Sequence, residues 1–299
     1  MVDVEASEAL ARCRELTTRG ANHLHEAARQ LPDAHRYTFF LAAYAAMRAL
    51  EDLIDREFLD QAADVRAARR DHVLERLQRW EEQVRLAAAG AYLPGEDDFE
   101  ALVFTALNRH LGHSDLGAEP FLRLSRSLRR DIEERGLRDW DEWYDYCEGA
   151  AVAPGAVFLY LLTARDDGGR LETPSGLSVM DEARELARFC YLTHIVRDLS
   201  EDARGNPQLL TIPGEILEQA GFDRERFRRA ASDPHADSDP AVRQVATRLL
   251  QRAAVHAHRA EARMPALSEY LGEANRAVLE RLFHLYRDAF VAVERQWQS

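Results

Sequence analysis

Apolar residues recur along most of this chain at intervals of three and four, the spacing that gathers side chains onto one face of an α-helix. Reading these stripes between Pro and Gly breaks predicts helices over 4–20 and 21–30. A break at Pro32 and Asp33 then precedes a long helix carrying the apolar run 37–47. Residues 62–89 read as a long, highly charged outer helix, and LPGEDD as a turn before a helix over 99–111. Further helices are predicted over 121–134 and, capped by Asp139, up to residue 164. RDDGGRLETPSG reads as a polar loop, and 180–202 as one helix. ARGNPQLLTIP is irregular; two short helices and SDPHADSDP lead to helices over 241–263 and 266–295. No stretch alternates convincingly as a strand would. No repeat or composition shift marks a boundary, so residues 1–299 are expected to form a single all-α domain, a helical bundle.

Composition narrows the classes. The formal net charge is −13, and every basic residue other than His is Arg, which argues against nucleic acid as a partner. The most apolar run, 149–164, is interrupted by Pro154 and Gly155 and is not expected to span a membrane. The first residues, MVDVEASEALARC, lack a signal peptide's basic and apolar regions, which predicts a cytoplasmic protein. Cys13, Cys147 and Cys190 are far apart and without metal-ligand spacing, and read as reduced, buried thiols.

Two stretches carry chemistry. In RALEDLID, Glu51 and Asp55 are four residues apart, and in YLTHIVRDLSED so are Asp198 and Asp202. On a helix each pair lies on one face, where like charges repel and a partner cation is required. Acidic pairs also arise on solvated faces in so charged a chain. Here both pairs end apolar helices, and both have an arginine at hand, Arg48 and Arg197. Two such helices facing each other form an all-oxygen site suited to Mg²⁺, with Mn²⁺ as an alternative, and arginines suited to diphosphate. Glu-x-x-His pairs are absent, which speaks against a di-iron bundle, and His256 and His258 point to different faces of their helix.

YAAMRALEDLID and YLTHIVRDLSEDARG resemble the two acidic motifs of the squalene and phytoene synthases, and YCEGAAVAPGAVFLYLL resembles the Tyr-Cys segment between them. The resemblance runs from about residue 21 to 213. It implies the isoprenoid synthase fold, a helical bundle around a central apolar cavity. It also implies head-to-head condensation of two prenyl diphosphates (farnesyl or geranylgeranyl), followed in some members by reduction with NADPH. Release of a lipophilic product implies peripheral membrane contact. By similarity, Tyr44, Arg48, Asp55, Tyr146, Arg197, Asp198 and Asp202 match positions that touch substrate or metal. The tail of such a substrate needs a dry aromatic pocket, for which Phe39, Phe40, Tyr44, Tyr146, Val157, Phe158 and Leu161 are the candidates.

Four departures stand out. Glu51 occupies the first aspartate's place in the first motif, and Tyr191 and His194 replace Gln and Asn in the second. His23 stands where the family has the second serine of a phosphate-binding segment, and GNPQLLTIP offers only Asn206 and Thr211 in place of an Arg and a Tyr. Imidazoles at His23 and His194 imply proton transfer, or phosphate binding that strengthens below about pH 6.5. Phosphatase activity, cyclisation or loss of catalysis are the alternatives that these changes keep open.

Overall fold

A computed structural model describes residues 4–19, 23–95, 98–205 and 211–298. In chain order the helices are α1 (Val4–Thr17), α2 (His23–Ala28), α3 (Ala34–Ile54), α4 (Ala63–Ala88), α5 (Ala101–Leu111), α6 (Glu119–Ile132), α7 (Trp140–Cys147) and α8 (Ala153–Thr163). A short hairpin, β1 (Arg165–Asp167) and β2 (Arg170–Glu172), is followed by α9 (Val179–Arg197), α10 (Leu199–Gly205), α11 (Gly214–Gln219), α12 (Arg224–Ala231), α13 (Pro240–Leu267) and α14 (Glu273–Gln298). Starts are set by side-chain caps: Asp33 accepts from the Arg36 amide at 2.7 Å and Asp139 from the Glu142 amide at 2.9 Å.

The fold is the all-α bundle expected. Helix α3 is buried almost all round and forms the centre with α8 and α9. The charged helix α4 is external, with Val73, Leu77, Trp80 and Val84 as its inward stripe. Its Trp80 Nε1 donates to the Ala46 carbonyl at 3.0 Å, fixing α4 on α3. Helix α13 lies along α9, and α14 packs on α2, α9 and α13. The buried side chains form one contiguous cluster.

Four local features depart from the sequence expectation. DGG is the turn of a two-stranded hairpin, with Gly168 at φ +63° and Gly169 at +93°, which a polar-loop reading misses. The second-motif helix is not continuous: it kinks at Asp198 (φ −96°, ψ 4°), although the Asp202 amide still donates to the Asp198 carbonyl at 2.8 Å. Helix α13 runs through Pro265 and ends at Leu267, with the break before α14 falling later. Pro154 and Gly155 do not interrupt the run around them either. Residues Trp140–Thr163 make one helix, long and apolar enough to cross a membrane by composition, with 72% of its apolar 18-residue window buried in the core.

Pro154 is accommodated by a widened turn over Glu148–Val152, in which the Ala153 amide reaches back to the Glu148 carbonyl. A similar turn, Asp55–Leu59, follows the first acidic motif, with the Asp60 amide bonded to the Asp55 carbonyl at 3.2 Å. The turn at Glu148–Val152 lets α6 approach backbone to backbone. A Cβ on Gly149 would lie 2.1 Å from the Arg123 carbonyl oxygen and 2.2 Å from Ser127 Oγ. Gly149→Ala is therefore expected to destabilise the fold by about 1–3 kcal/mol, read by urea denaturation. Gly272→Ala, with nothing within 4 Å, should be close to neutral in the same assay.

Candidate active site

The bundle encloses a cavity of about 1160 Å³, larger than a usual small-molecule pocket. Two helices furnish its two long walls by the same arithmetic. On α3, Tyr44, Arg48, Glu51 and Asp55 follow at four, three and four residues, and on α9 so do Ala187, Tyr191, His194 and Asp198. Asp202 of α10 stands beside Asp198, His23 enters from α2, and Arg197 and Tyr146 complete the polar end. Away from the acids the wall turns apolar, with Phe158, Leu159, Leu186, Met264 and Leu279 among its residues.

Phe39 and Phe40 do not reach this wall, a correction to the sequence reading. Phe40 is one turn below Tyr44 and stacks under it at 5.3 Å, edge-on to Phe158 at 6.1 Å. Phe39 faces the other way, stacked on His110 of α5 at 5.4 Å. Both are core residues, 0% and 1% exposed, that support the lining from behind. Val157 and Leu161 are likewise buried outside the cavity, and of that segment's candidates Phe158 lines it.

The acidic end is electrostatically strained. Burial lifts the Glu51 carboxyl to about 7 and that of Asp55 to about 6, opposed by Arg48. Asp202 is lifted to about 7, first by burial, then by Asp198 and Glu201, and it also feels Asp55 from the facing motif. Asp55 and Asp202 are open to water yet surrounded by protein, so the reduced hydration of a cleft, not full enclosure, is the cause. Among the described residues no group of three His, Cys, Asp or Glu side chains is placed to hold a metal ion by itself. An open set of carboxylates that repel one another fits Mg²⁺ nonetheless, since that ion keeps waters and takes one or two carboxylates together with phosphate oxygens.

Both arginines are engaged with these acids. Arg197 grips Asp198 through two bonds of 2.7 and 2.6 Å. Arg48 reaches Glu51 at 3.4 Å and Asp52 at 3.1 Å, while its Nε is buried without a hydrogen-bond partner. Arg19 and Arg56, also on the cavity wall, approach Asp52 at 3.5 and 3.4 Å.

The histidines differ from expectation. His23, His194 and Tyr286 of α14 form a ring cluster, with His23 and His194 each about one ring from Tyr286, at 5.1 and 5.0 Å. Burial, then Arg197, lowers His194 to about 4, and the same causes lower His23. In the ligand-free protein His194 is therefore neutral near pH 7, and His23 is shifted in the same direction. Asn206 lies outside the described residues, as do two residues of the segment leading to His23; Thr211 lines the cavity.

Sequence reading missed Asp131. It is 5% exposed on the cavity wall, its carboxyl lifted to about 8 by burial, and Tyr146 Oη donates to it at 2.9 Å. The available signal was its phase: Leu124, Leu128 and Asp131 share the buried stripe of α6, an acid where the pattern calls for an apolar residue.

The family model for squalene/phytoene synthase matches residues 17–296, well beyond the segment legible from the motifs. The 15-cis-phytoene synthase of Synechococcus elongatus is 26% identical over 221 residues, 73% of this chain and 65% of that protein. The presqualene diphosphate synthase of Sinorhizobium fredii is 26% identical over 252 residues, 84% of this chain and 77% of that one. The chain thus spans slightly under two thirds of the first relative's length and 59% of that of the Arthrospira platensis phytoene synthase. In fold it is similar to the squalene synthase HpnC of Alicyclobacillus acidocaldarius (TM-score 0.71, 23% identity, covering 100% of this chain and 97% of that one). A dehydrosqualene synthase structure matches equally well (TM-score 0.71, 20% identity, 98% and 88% covered). With its motifs, its cavity and a family match over nearly its whole length, the chain belongs to the squalene/phytoene synthase family.

Proposed function

We propose that this protein is a Mg²⁺-dependent prenyltransferase that joins two prenyl diphosphates head to head. The observation that carries the reading is the opposition of the α3 and α9–α10 acids at one end of a cavity whose other end is apolar. From Asp198 to Glu182, both on the wall, α9 runs about 24 Å at 1.5 Å per residue, room for an extended chain of farnesyl or geranylgeranyl length.

Glu51, Asp55, Asp198 and Asp202 would hold the metal, with Mn²⁺ as a substitute. Bound there, the ion supplies positive charge to a departing diphosphate. Arg48 offers its unpartnered Nε to a phosphate oxygen, and Arg197 can exchange Asp198 for one. The ring faces of Tyr44, Tyr146, Phe158 and Tyr191 suit a dry allylic cation. Asp131 is neutral at pH 7, so it adds no second charge and holds the Tyr146 hydroxyl in place. A water-insoluble product would leave toward a membrane face, with the enzyme itself cytoplasmic. A second reading, a relative with phosphatase or cyclase activity or none, draws on the neutral His23–His194–Tyr286 cluster, where the resemblance calls for serine and asparagine.

Incubation with farnesyl or geranylgeranyl diphosphate, Mg²⁺ or Mn²⁺, and with or without NADPH, should give a head-to-head hydrocarbon or its cyclopropyl diphosphate. Release of a prenyl alcohol alone would favour the second reading. Asp198→Asn and Asp202→Asn should each lower turnover by at least about 10²-fold without change in far-ultraviolet circular dichroism.

The raised carboxyls set a pH dependence. Ligands must lose their protons, and Glu51, Asp55 and Asp202 do so only near pH 6–7. The rise in Tm produced by Mg²⁺ with inorganic diphosphate should be small at about pH 5.5, grow through neutrality and be full by about pH 8. Without metal the sign reverses for these groups: their unfolded forms bind protons less tightly, so stability contributed by them falls as pH rises through about 6–7. Asp131 adds an alkaline limb, since turnover should decline near pH 8 as its proton is lost. Asp131→Asn should keep turnover within about tenfold and lack that limb, whereas Asp131→Ala, which strands the Tyr146 hydroxyl, should lose more.

A further inference from the structure

Behind the wall that closes the active site lies a second hollow of about 220 Å³, between α6 and the α7–α8 helix. Tyr146 borders both spaces. Arg123, Arg126 and Arg130 follow at three and four residues along α6, so one helix face presents three guanidiniums to this hollow. In a chain of net charge −13 these three arginines are grouped on one face, with Asp145 and Glu148 beside them. Prenyl transfer uses none of the three.

Neighbouring carboxylates hold these arginines in part, Arg123 through Glu119 and Arg130 through Glu142, and each of these acids is shared with a second arginine. Glu148 is held from the far side by Arg184 at 2.7 Å and Arg188 at 3.0 Å, and stands 3.8 Å from Arg123. Arg126 has Glu119 at 3.5 Å, an acid already bonded to Arg123 at 2.9 Å. Arg130 reaches Glu142 at 3.2 Å, but Glu142 is more tightly held by Arg138 at 2.6 Å. The Nε of Arg130 is buried and has no hydrogen-bond partner, a desolvated donor that an arriving acceptor would satisfy. Asp145, exposed at the rim, forms no ion pair among the described residues. Ser127 is spent on the wall itself, donating to the Tyr146 carbonyl at 2.7 Å.

We propose that this hollow binds a phosphate-class oxyanion, at a site distinct from the metal-dependent one across Tyr146. It is too small for a prenyl tail or a drug-sized ligand and large enough for a phosphate or diphosphate group. Planar guanidiniums match two phosphate oxygens at once, and an anion with more than one charge gains from all three. The group can come free, as inorganic diphosphate, or as the phosphate of a nucleotide whose remainder lies along the surface. The proposal stands independently of prenyl transfer.

Isothermal titration of the full chain in EDTA removes the metal-dependent mode of the main cavity, and substitution of the hollow's own arginines separates its binding from any at Arg48 and Arg197. Inorganic phosphate, inorganic diphosphate, NAD⁺ and NADP⁺ are titrated at ionic strength of about 0.1 M, where long-range attraction is screened. Diphosphate should bind saturably at one site. Arg126→Gln with Arg130→Gln should weaken it about tenfold or more, and Asp145→Asn should tighten it. The opposite signs separate a local charge effect from damage to the fold. NADP⁺ binding more tightly than inorganic diphosphate and NAD⁺ identifies a nucleotide phosphate as the source, and inorganic diphosphate binding more tightly than either dinucleotide identifies the free anion. No saturable heat from any of the four, or equal affinity in wild type and the double arginine variant, would overturn the site. Asp202→Asn should abolish Mg²⁺-dependent turnover while leaving diphosphate binding in EDTA intact, so the two readings fail separately.

Discussion

The constraint on which this structure turns is the placing of mutually repelling carboxylates at the poorly hydrated end of an apolar cavity. Glu51, Asp55 and Asp202 all bind protons more tightly than free carboxylates, because α3 and α9–α10 bring them together where water is scarce. No packing requirement explains such an arrangement. It lowers the stability of the metal-free fold at neutral pH, and it is relieved by protons or by a divalent cation. Arg48, Arg197, Arg19 and Arg56 offset part of the repulsion.

The rest of the bundle holds those two walls apart and dry. Helix α4 is pinned to α3 through Trp80, and Phe39 and Phe40 brace the lining from behind without entering it. Two widened turns adjust the helices at the edges of the site. One follows Asp55; the other absorbs Pro154 and, through Gly149, brings α6 close enough for Asp131 to meet Tyr146. The backbone irregularities and the geometry of the cavity therefore share a cause, the need to aim α3 and α7–α8 side chains into one space.

The same close approach of α6 to the α7–α8 helix has an outer face, where Arg123, Arg126 and Arg130 gather opposite Asp145. One helix thus presents a neutral acid to the cavity and a row of cations to the surface, with Tyr146 between them. In an amphipathic helix with so clear a polar face, such a division follows from the phase of the sequence, since residues 124, 128 and 131 share one side and 123, 126 and 130 another.

Periodicity alone determined that this chain is helical and where most helices lie, because α-helices bury a stripe that repeats every three to four residues. It also determined that Glu51 with Asp55, and Asp198 with Asp202, share helix faces, since that follows from spacing within one element. What it could not determine was anything set by a partner helix. Phe40 has the phase of Tyr44 and yet is covered, because Tyr44 and Phe158 lie over it. His194 shares a helix face with Asp198 and yet is neutral near pH 7, because burial beside Tyr286 of a distant helix, and then Arg197, lower its pKa. Asp131 looked like one more charge in a charged run, and only the tertiary structure, by burying it against Tyr146, gave it a proton to hold at neutral pH.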